Sequence, residues 1–275
     1  MRRLSALFIA ILSILPLSAE SFVVDRYSVS IDVDSARDMH FEEVMDLDFI
    51  YPSHGIIRDI QCYFPGYDGF PATRAEVSDI RASEAEEVRS DGRFVSIVLG
   101  DSGRLITGPY SFAISYDFDM GKDYYDDYDE VYINIVSADG WNTYIGMVEF
   151  SITLPFPVSS DRVWVTYGQY GSVPRLPFAL SEDGLTVSGS ASSLSPGEAV
   201  TVRIEMEEGY FIDASDPYAM ARLAFMAGLI LTAALIIVAL ILFFRFGREN
   251  RVIAPVEFDP PEGLTPMDLA FVLNG

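Results

Sequence analysis

From residue 22 to residue 208, apolar and polar positions alternate with a period of two. "YSVSIDV", from Tyr27, sets Tyr27, Val29, Ile31 and Val33 against Ser28, Ser30 and Asp32. "SFAISYDF" puts Phe112, Ile114, Tyr116 and Phe118 on one face, and "AVTVRIEM" does the same with Val200, Val202, Ile204 and Met206. Successive side chains of a strand point to opposite faces, so this pattern marks strands with one buried side. Further strands are expected at 41–51, 56–63, 74–80, 94–99, 131–136, 144–154, 163–167 and 185–188. Turn residues punctuate them at Pro52, Pro65-Gly66, Asp91-Gly92, Gly108-Pro109, Asp139-Gly140, Asp183-Gly184 and Pro196-Gly197; Asp-Gly just before a strand is a hairpin signal. The one helix-like patch in this region, 83–89, is too short to matter, and 188–197, "SGSASSLSPG", reads as a short loop rather than a linker. Roughly ten short strands with regular turns predict an all-β fold, an immunoglobulin-like or jelly-roll-like β-sandwich, as one sandwich or two small ones in series.

The alternation stops abruptly at "LAFMAGLILTAALIIVALILFF", residues 223–244, which carries no charge and no polar face on a helical period. As a helix it spans about 33 Å, enough for the hydrocarbon core of a bilayer. A second apolar stretch opens the chain. Arg2 and Arg3 precede Leu4 to Leu17, and Ser18-Ala19 follows. Basic, apolar, then small is the pattern of a secretory signal, too short for a span. Arg245, Arg248 and Arg251 follow the long apolar run, so its C-terminal end is expected in the cytoplasm. The expected organisation is a signal peptide at 1–19, an extracytoplasmic β domain at 20–212, a transmembrane helix at 220–244 and a cytoplasmic tail at 245–275. Localisation is then the cell membrane, with the N-terminal domain outside.

Charge narrows the range of partners. The 20–217 segment carries 12 basic and 36 acidic side chains, a net −24. Such a surface repels nucleic acid and favours cations or basic partners. Cys62 is the only cysteine, set among apolar neighbours in "IQCYF", so the domain is held by its core rather than by an internal disulfide. There is no nucleophile elbow, no phosphate loop, and only His40 and His54 as histidines, so no zinc set is expected. No cofactor is expected apart from Ca²⁺ at the acidic stretch from Asp117 to Glu130. There Asp117, Asp119, Asp123, Asp126, Asp127 and Asp129 supply the hard oxygen ligands this ion takes. Their spacing fails the EF-hand pattern, and a solvated hairpin loop is the preferred reading of the stretch. In the apolar run, Ala224, Gly228 and Thr232 recur every fourth residue, a spacing that lets two helices approach closely.

The segment "VIAPVEFDPPEGLTPMDLAFVLNG" behind the apolar run resembles the predicted membrane proteins grouped as domain of unknown function 2207 (DUF2207). The family motif there is matched by Phe258, Pro260, Pro261, Gly263, Leu264, Thr265 and Pro266. "HGIIRDI", with Gly55, Arg58 and Ile60, is similar to another family segment. So are "DDYDEVYINIVSADGWNTYIGMVEFSITLP", with Glu130, Tyr132 and Trp141, and "LSPGEAVTVRIEMEEGYF", with Pro196 and Gly197. The resemblance implies a signal peptide, an exported β domain, a span and a cytoplasmic region, but no activity. It also implies longer relatives, so this chain is expected to be shortened or one half of a split pair.

The function expected from these residues is that of a single-pass cell-envelope protein whose acidic β domain binds or positions a partner, without catalysis. One alternative is a subunit of a larger membrane assembly, contacting another subunit or itself through the span. The other is a hydrolase of envelope polymers using paired carboxylates.

Overall fold

In the computed structural model the period-two pattern becomes a layered β domain. The residues described are 21–65, 72–123, 125–138, 140–169, 171, 174–212, 214–216, 219–247, 263, 265, 267–268 and 270–271. The expected signal segment and the tail positions Pro260, Pro261, Leu264 and Pro266 lie outside them. The strands are β1 (Phe22–Val33), β2 (Asp38–Ser53), β3 (Gly55–Gln61), β4 (Tyr63–Phe64), β5 (Thr73–Arg74), β6 (Glu76–Ala82), β7 (Ala85–Ser90) and β8 (Phe94–Gly100). There follow β9 (Ile106–Asp119), β10 (Tyr128–Val136), β11 (Ile145–Thr153), β12 (Val163–Gln169), β13 (Phe178–Leu180), β14 (Thr186–Leu194) and β15 (Glu198–Glu207).

Seven strands form one sheet in the order β13-β14-β11-β1-β2-β9-β6. β1 is antiparallel to β2 and parallel to β11. One face of this sheet is buried: Val29, Ile31 and Val33 from β1, Met39, Phe41, Met45, Leu47 and Phe49 from β2, and Phe112, Ile114, Tyr116 and Phe118 from β9. Against that face pack two three-stranded sheets, β3-β8-β7 and β10-β15-β12, and their side chains join a single hydrophobic core. The domain is thus one sandwich whose second layer is divided. The division falls between β3 and β10, each the edge strand of its own small sheet. A two-stranded ribbon, β4-β5, follows β3.

Two local expectations are corrected. The short helix-like patch at 83–89 is strand; β7 covers most of it, pairs with β8, and exposes every side chain. Its Ala, Glu and Arg content favours helix weakly, and strand pairing overrides it. Residues 188–197 are not simply a loop, because β14 runs to Leu194 and holds β11 on one side and β13 on the other. Its small residues have a packing cause. A Cβ on Gly189 would lie 2.6 Å from the ring of Phe150, so glycine makes room for a core aromatic.

The C-terminal unit contains α1 (Ala219–Phe246), 28 residues with a mean hydropathy of 2.9 in its most apolar window and no buried residue. Its length, about 42 Å, exceeds the roughly 30 Å hydrocarbon core. A soluble core helix would bury its apolar side chains; this one is exposed all round, as a lipid-facing helix is. Further on, Thr265 donates its N–H to the Asp268 carboxylate at 2.8 Å and its hydroxyl at 2.6 Å, capping a helical turn at Met267–Asp268.

Gly55, at the β2–β3 corner, has φ +144° and faces Gly100 across the ladder; a Cβ there would sit 1.8 Å from the Leu99 carbonyl oxygen. Gly55→Ala is expected to cost at least about 3 kcal/mol and lower Tm by about 6–12 °C. Gly197→Ala, also at positive φ but facing open space, is expected to cost about 1 kcal/mol. Thermal melts followed by circular dichroism test both.

Candidate functional site

On the buried face of the large sheet, β2 reads Met39, Phe41, Glu43, Met45, Leu47: a carboxylate stands where the pattern calls for an apolar side chain. On the opposite layer β3 reads Ile56, Arg58, Ile60, with a cation in the same phase. The two meet. Arg58 Nε donates to Glu43 Oε2 at 2.8 Å and Nη2 donates to Oε1 at 2.9 Å, a bidentate fork. The Tyr116 hydroxyl also donates to Glu43 Oε1 at 2.7 Å, and Arg58 Nη2 donates to the Tyr27 hydroxyl at 3.1 Å. Trp141 covers the guanidinium, 5.8 Å from ring centroid to Cζ, and its ring lies 5.3 Å from that of Tyr27. Glu43 is 1% exposed. Burial is the largest single effect on Arg58 and would lower its pKa, but the Glu43 carboxylate together with the Tyr27 and Tyr116 phenols overcomes it and holds the pKa well above the ordinary arginine range. Burial pushes both the Tyr27 and Tyr116 phenols well up.

Beside this pair opens a cavity of about 460 Å³, within the usual range for small-ligand sites. Its floor is Val29, Phe41, Tyr116 and Phe118 of the large sheet; its walls are β3 and β10. A second charged group closes one end. Arg37 lies in the turn between β1 and β2 with φ +72°, a strained conformation for a non-glycine residue. The turn is held by the Asp34 carboxylate, which accepts the N–H groups of Ala36 and Asp38. Arg37 is thereby sent inward, where it donates to the carbonyls of Gly121 at 2.8 Å and Glu130 at 2.9 Å. Asp123, also lining the cavity, accepts the Glu130 N–H at 3.0 Å through Oδ2. Arg37 Nε and Asp123 Oδ1 are buried and have no hydrogen-bond partner. Burial lowers the Arg37 pKa, against the pull of Asp123, and raises that of Asp123, against the pull of Arg37. For each group desolvation outweighs its partner, as expected where hydrogen bonding is incomplete.

The carboxylates of the acidic stretch take separate partners. Asp117 meets His40 Nδ1 at 2.6 Å; Asp119 accepts from the Gly121 N–H and the Ser215 hydroxyl; Asp129 accepts the Phe211 N–H at 3.0 Å. Among the described residues no group of three or more His, Cys, Asp or Glu side chains could hold a metal ion, and Asp126 and Asp127 join no such group. The stretch is also not simply a solvated hairpin. Asp123, Asp129 and Glu130 are buried, because the chain after β15 folds back over them. That return is pinned by Ile212 N–H to the Ser35 carbonyl, Lys122 N–H to the Ser215 carbonyl, and Phe211 lying 6.0 Å from Arg37 Cζ.

Of the motif residues, Arg58, Glu130 and Trp141 converge on the cavity and the ion pair beside it. Glu130 is held by Arg203 Nε and lines the wall; Gly55 sets the corner before β3. Tyr132 is half exposed on the outer face of β10, while Pro196 and Gly197 make the β14–β15 turn, away from the cavity lining. In α1, Gly228 has open space around it, and Thr232 donates its hydroxyl to the Gly228 carbonyl at 2.8 Å, one turn back. That hydroxyl is satisfied within its own helix, so the stripe with Ala224 offers small size alone. Sequence reading missed Glu43, Tyr27 and Tyr116 at the ion pair, and Arg37. The signal for the first was present: one acid and one base, each in the apolar phase of its strand.

The N-terminal domain of the predicted membrane protein family DUF2207 matches residues 23–206, and the chain belongs to this family. With one helix among the described residues long and apolar enough to cross a bilayer, it is a membrane-associated protein of mostly β structure. No curated protein matches it. Among solved structures it is similar to native yeast LTA4 hydrolase, with TM-score 0.39 and 9% identity over 68% of this chain and 29% of that one. It is also similar to the M1 zinc metallopeptidase from Deinococcus radiodurans, with TM-score 0.36 and 8% identity over 67% of this chain and 42% of that one. The chain thus spans less than half of either, and likenesses at this level carry nothing about activity.

Arg58→Met leaves the Glu43 carboxylate buried without a cation and is expected to destabilise by about 3–5 kcal/mol. The double variant Arg58→Met with Glu43→Leu, which removes both charges, is expected to melt above Arg58→Met alone. Because folding raises the Tyr27 and Tyr116 pKa values, their contribution is complete below the unfolded value of about 10 and is lost as pH climbs beyond it. Unfolding is therefore expected to set in above about pH 10, and a pH series of thermal melts checks it.

Proposed function

We propose that this protein is a single-pass membrane-anchored envelope protein whose acidic β domain faces outward and binds a ligand in the cavity between its layers, without performing chemistry on it. The signal-like N-terminus and the arginines after the apolar helix support that orientation. The observation that carries binding is the cavity itself: about 460 Å³, floored by aromatic side chains, with the charged side chains of Arg37 and Asp123 at one end. A concave space of this volume with apolar and a few charged lining groups is the usual form of a small-ligand site. A carboxylate hydrolase would need two available acids. Of the four carboxylates lining the cavity, Glu43 is forked by Arg58, Glu130 is held by Arg203, Asp59 accepts from the Ser96 hydroxyl and Asp123 accepts the Glu130 N–H, so each is already engaged. Binding is the better reading.

The test uses the full chain in nanodiscs, incubated with a detergent-free extract of its own envelope, washed, and analysed by mass spectrometry for retained compounds. Ser137→Trp, which fills the cavity from its rim, is expected to reduce retention at least tenfold while keeping the circular dichroism spectrum. Equal retention by both proteins, or none by either, would contradict the proposal.

A further inference from the structure

The cavity is bordered by main chain rather than by alternate side chains. Arg58, Asp59, Ile60 and Gln61 of β3 line one wall, and Tyr132, Ile133, Asn134 and Ile135 of β10 line the other. A pocket shaped by side chains alone draws on every second residue of a strand; consecutive residues line a space when a strand edge faces it. The hydrogen bonds settle which groups face the slot. On β3 the even positions turn toward β8, since Cys62 N–H donates to the Arg93 carbonyl and the His54 carbonyl accepts from Asp101. The odd positions, Asp59 and Gln61, therefore turn toward the slot. On β10 the N–H and C=O of Glu130 engage Asp123 and Arg37, both on the side away from β15. By alternation Asn134 turns the same way.

We propose that the slot between β3 and β10 accepts an extended polypeptide segment of a partner protein, which pairs as a strand with these edges. It would set apolar side chains over the floor at alternate positions and basic or amide side chains outward. This rests on the binding function above and names the ligand class. Beyond Glu130, whose N–H and C=O are taken by Asp123 and Arg37, the edge to Asn134 runs about 10 Å, so three or four residues of a guest strand lie along it. Inward side chains meet Val29, Phe41, Tyr116 and Phe118. Outward ones meet Asp59 on an acidic domain, which favours cationic residues. At the Glu130 end, the side chains of Arg37 and Asp123 close the cavity. Two arginines cap neighbouring acceptors, Arg58 on the Asp59 carbonyl and Arg37 on that of Glu130. They bound the stretch left for pairing. Main-chain bonds would supply affinity and the floor would supply specificity, as in other cases of strand addition.

The experiment pans a displayed library of random twelve-residue peptides on the full chain in nanodiscs, then measures the enriched peptides by fluorescence polarisation. The expected result is enrichment of sequences alternating apolar with basic or amide residues. Their binding should weaken at least tenfold when alternate peptide nitrogens are methylated, which removes strand hydrogen bonds but not side chains. Asn134→Pro, which removes one slot-facing N–H from an edge strand, should weaken binding as much, and Asn134→Ala should not. Bound peptide should slow amide exchange at Gln61 and Asn134. No enrichment, enrichment without period two, or binding indifferent to N-methylation would overturn the proposal. If Ser137→Trp abolishes retention of a small envelope compound while the library yields nothing, the cavity binds as proposed above and the peptide assignment alone falls.

Discussion

Burying a single charge in an apolar interior is prohibitive, and burying two is tolerable only if each satisfies the other completely. The contact between Arg58 and Glu43 meets that condition. Both fork bonds are near 2.8 Å, two tyrosine hydroxyls occupy further hydrogen-bonding positions, and an indole covers the guanidinium face. The pair joins the two layers of the sandwich, since Glu43 belongs to the seven-stranded sheet and Arg58 to the small one above it. It therefore fixes where β3 lies over β1 and β2. An apolar contact at the same point would tolerate sliding; a bidentate fork does not.

With β3 held there, the second layer does not close. β10 belongs to another three-stranded sheet, and its edge is managed separately by Arg37 and Asp123. Open strand edges are commonly blunted by charge, bulges or covering loops. Here each edge carries one arginine on one carbonyl, and β10 has a register shift beyond Asn134. The return of the chain after β15 seals the Arg37 end through Phe211, Ile212 and Ser215. These features leave a short, bounded slot above an aromatic floor.

The strained turn at Arg37 fits this account. A left-handed arginine is unfavourable locally, and the surrounding bonds to Asp34, Gly121 and Glu130 impose it. Its guanidinium is held by the Gly121 and Glu130 carbonyls at the end of the cavity that Asp123 also lines.

Much of this protein was legible from its residues in order. The period-two alternation specified nearly every long strand, because a half-buried strand can be built no other way. The uninterrupted apolar run specified the long helix, because no polar face remained to meet water. The motif residues Arg58, Glu130 and Trp141 were visible in sequence, though not their meeting. Residues 83–89 and 188–197 misled, since their local propensities are weak and their pairing partners, β8 and β11, lie elsewhere in the chain. Only the tertiary structure decided that Glu43 reaches Arg58, that Arg37 turns inward, and that the second layer divides between β3 and β10. Each depends on which strand lies opposite which, a long-range matter of register and packing that no local pattern encodes.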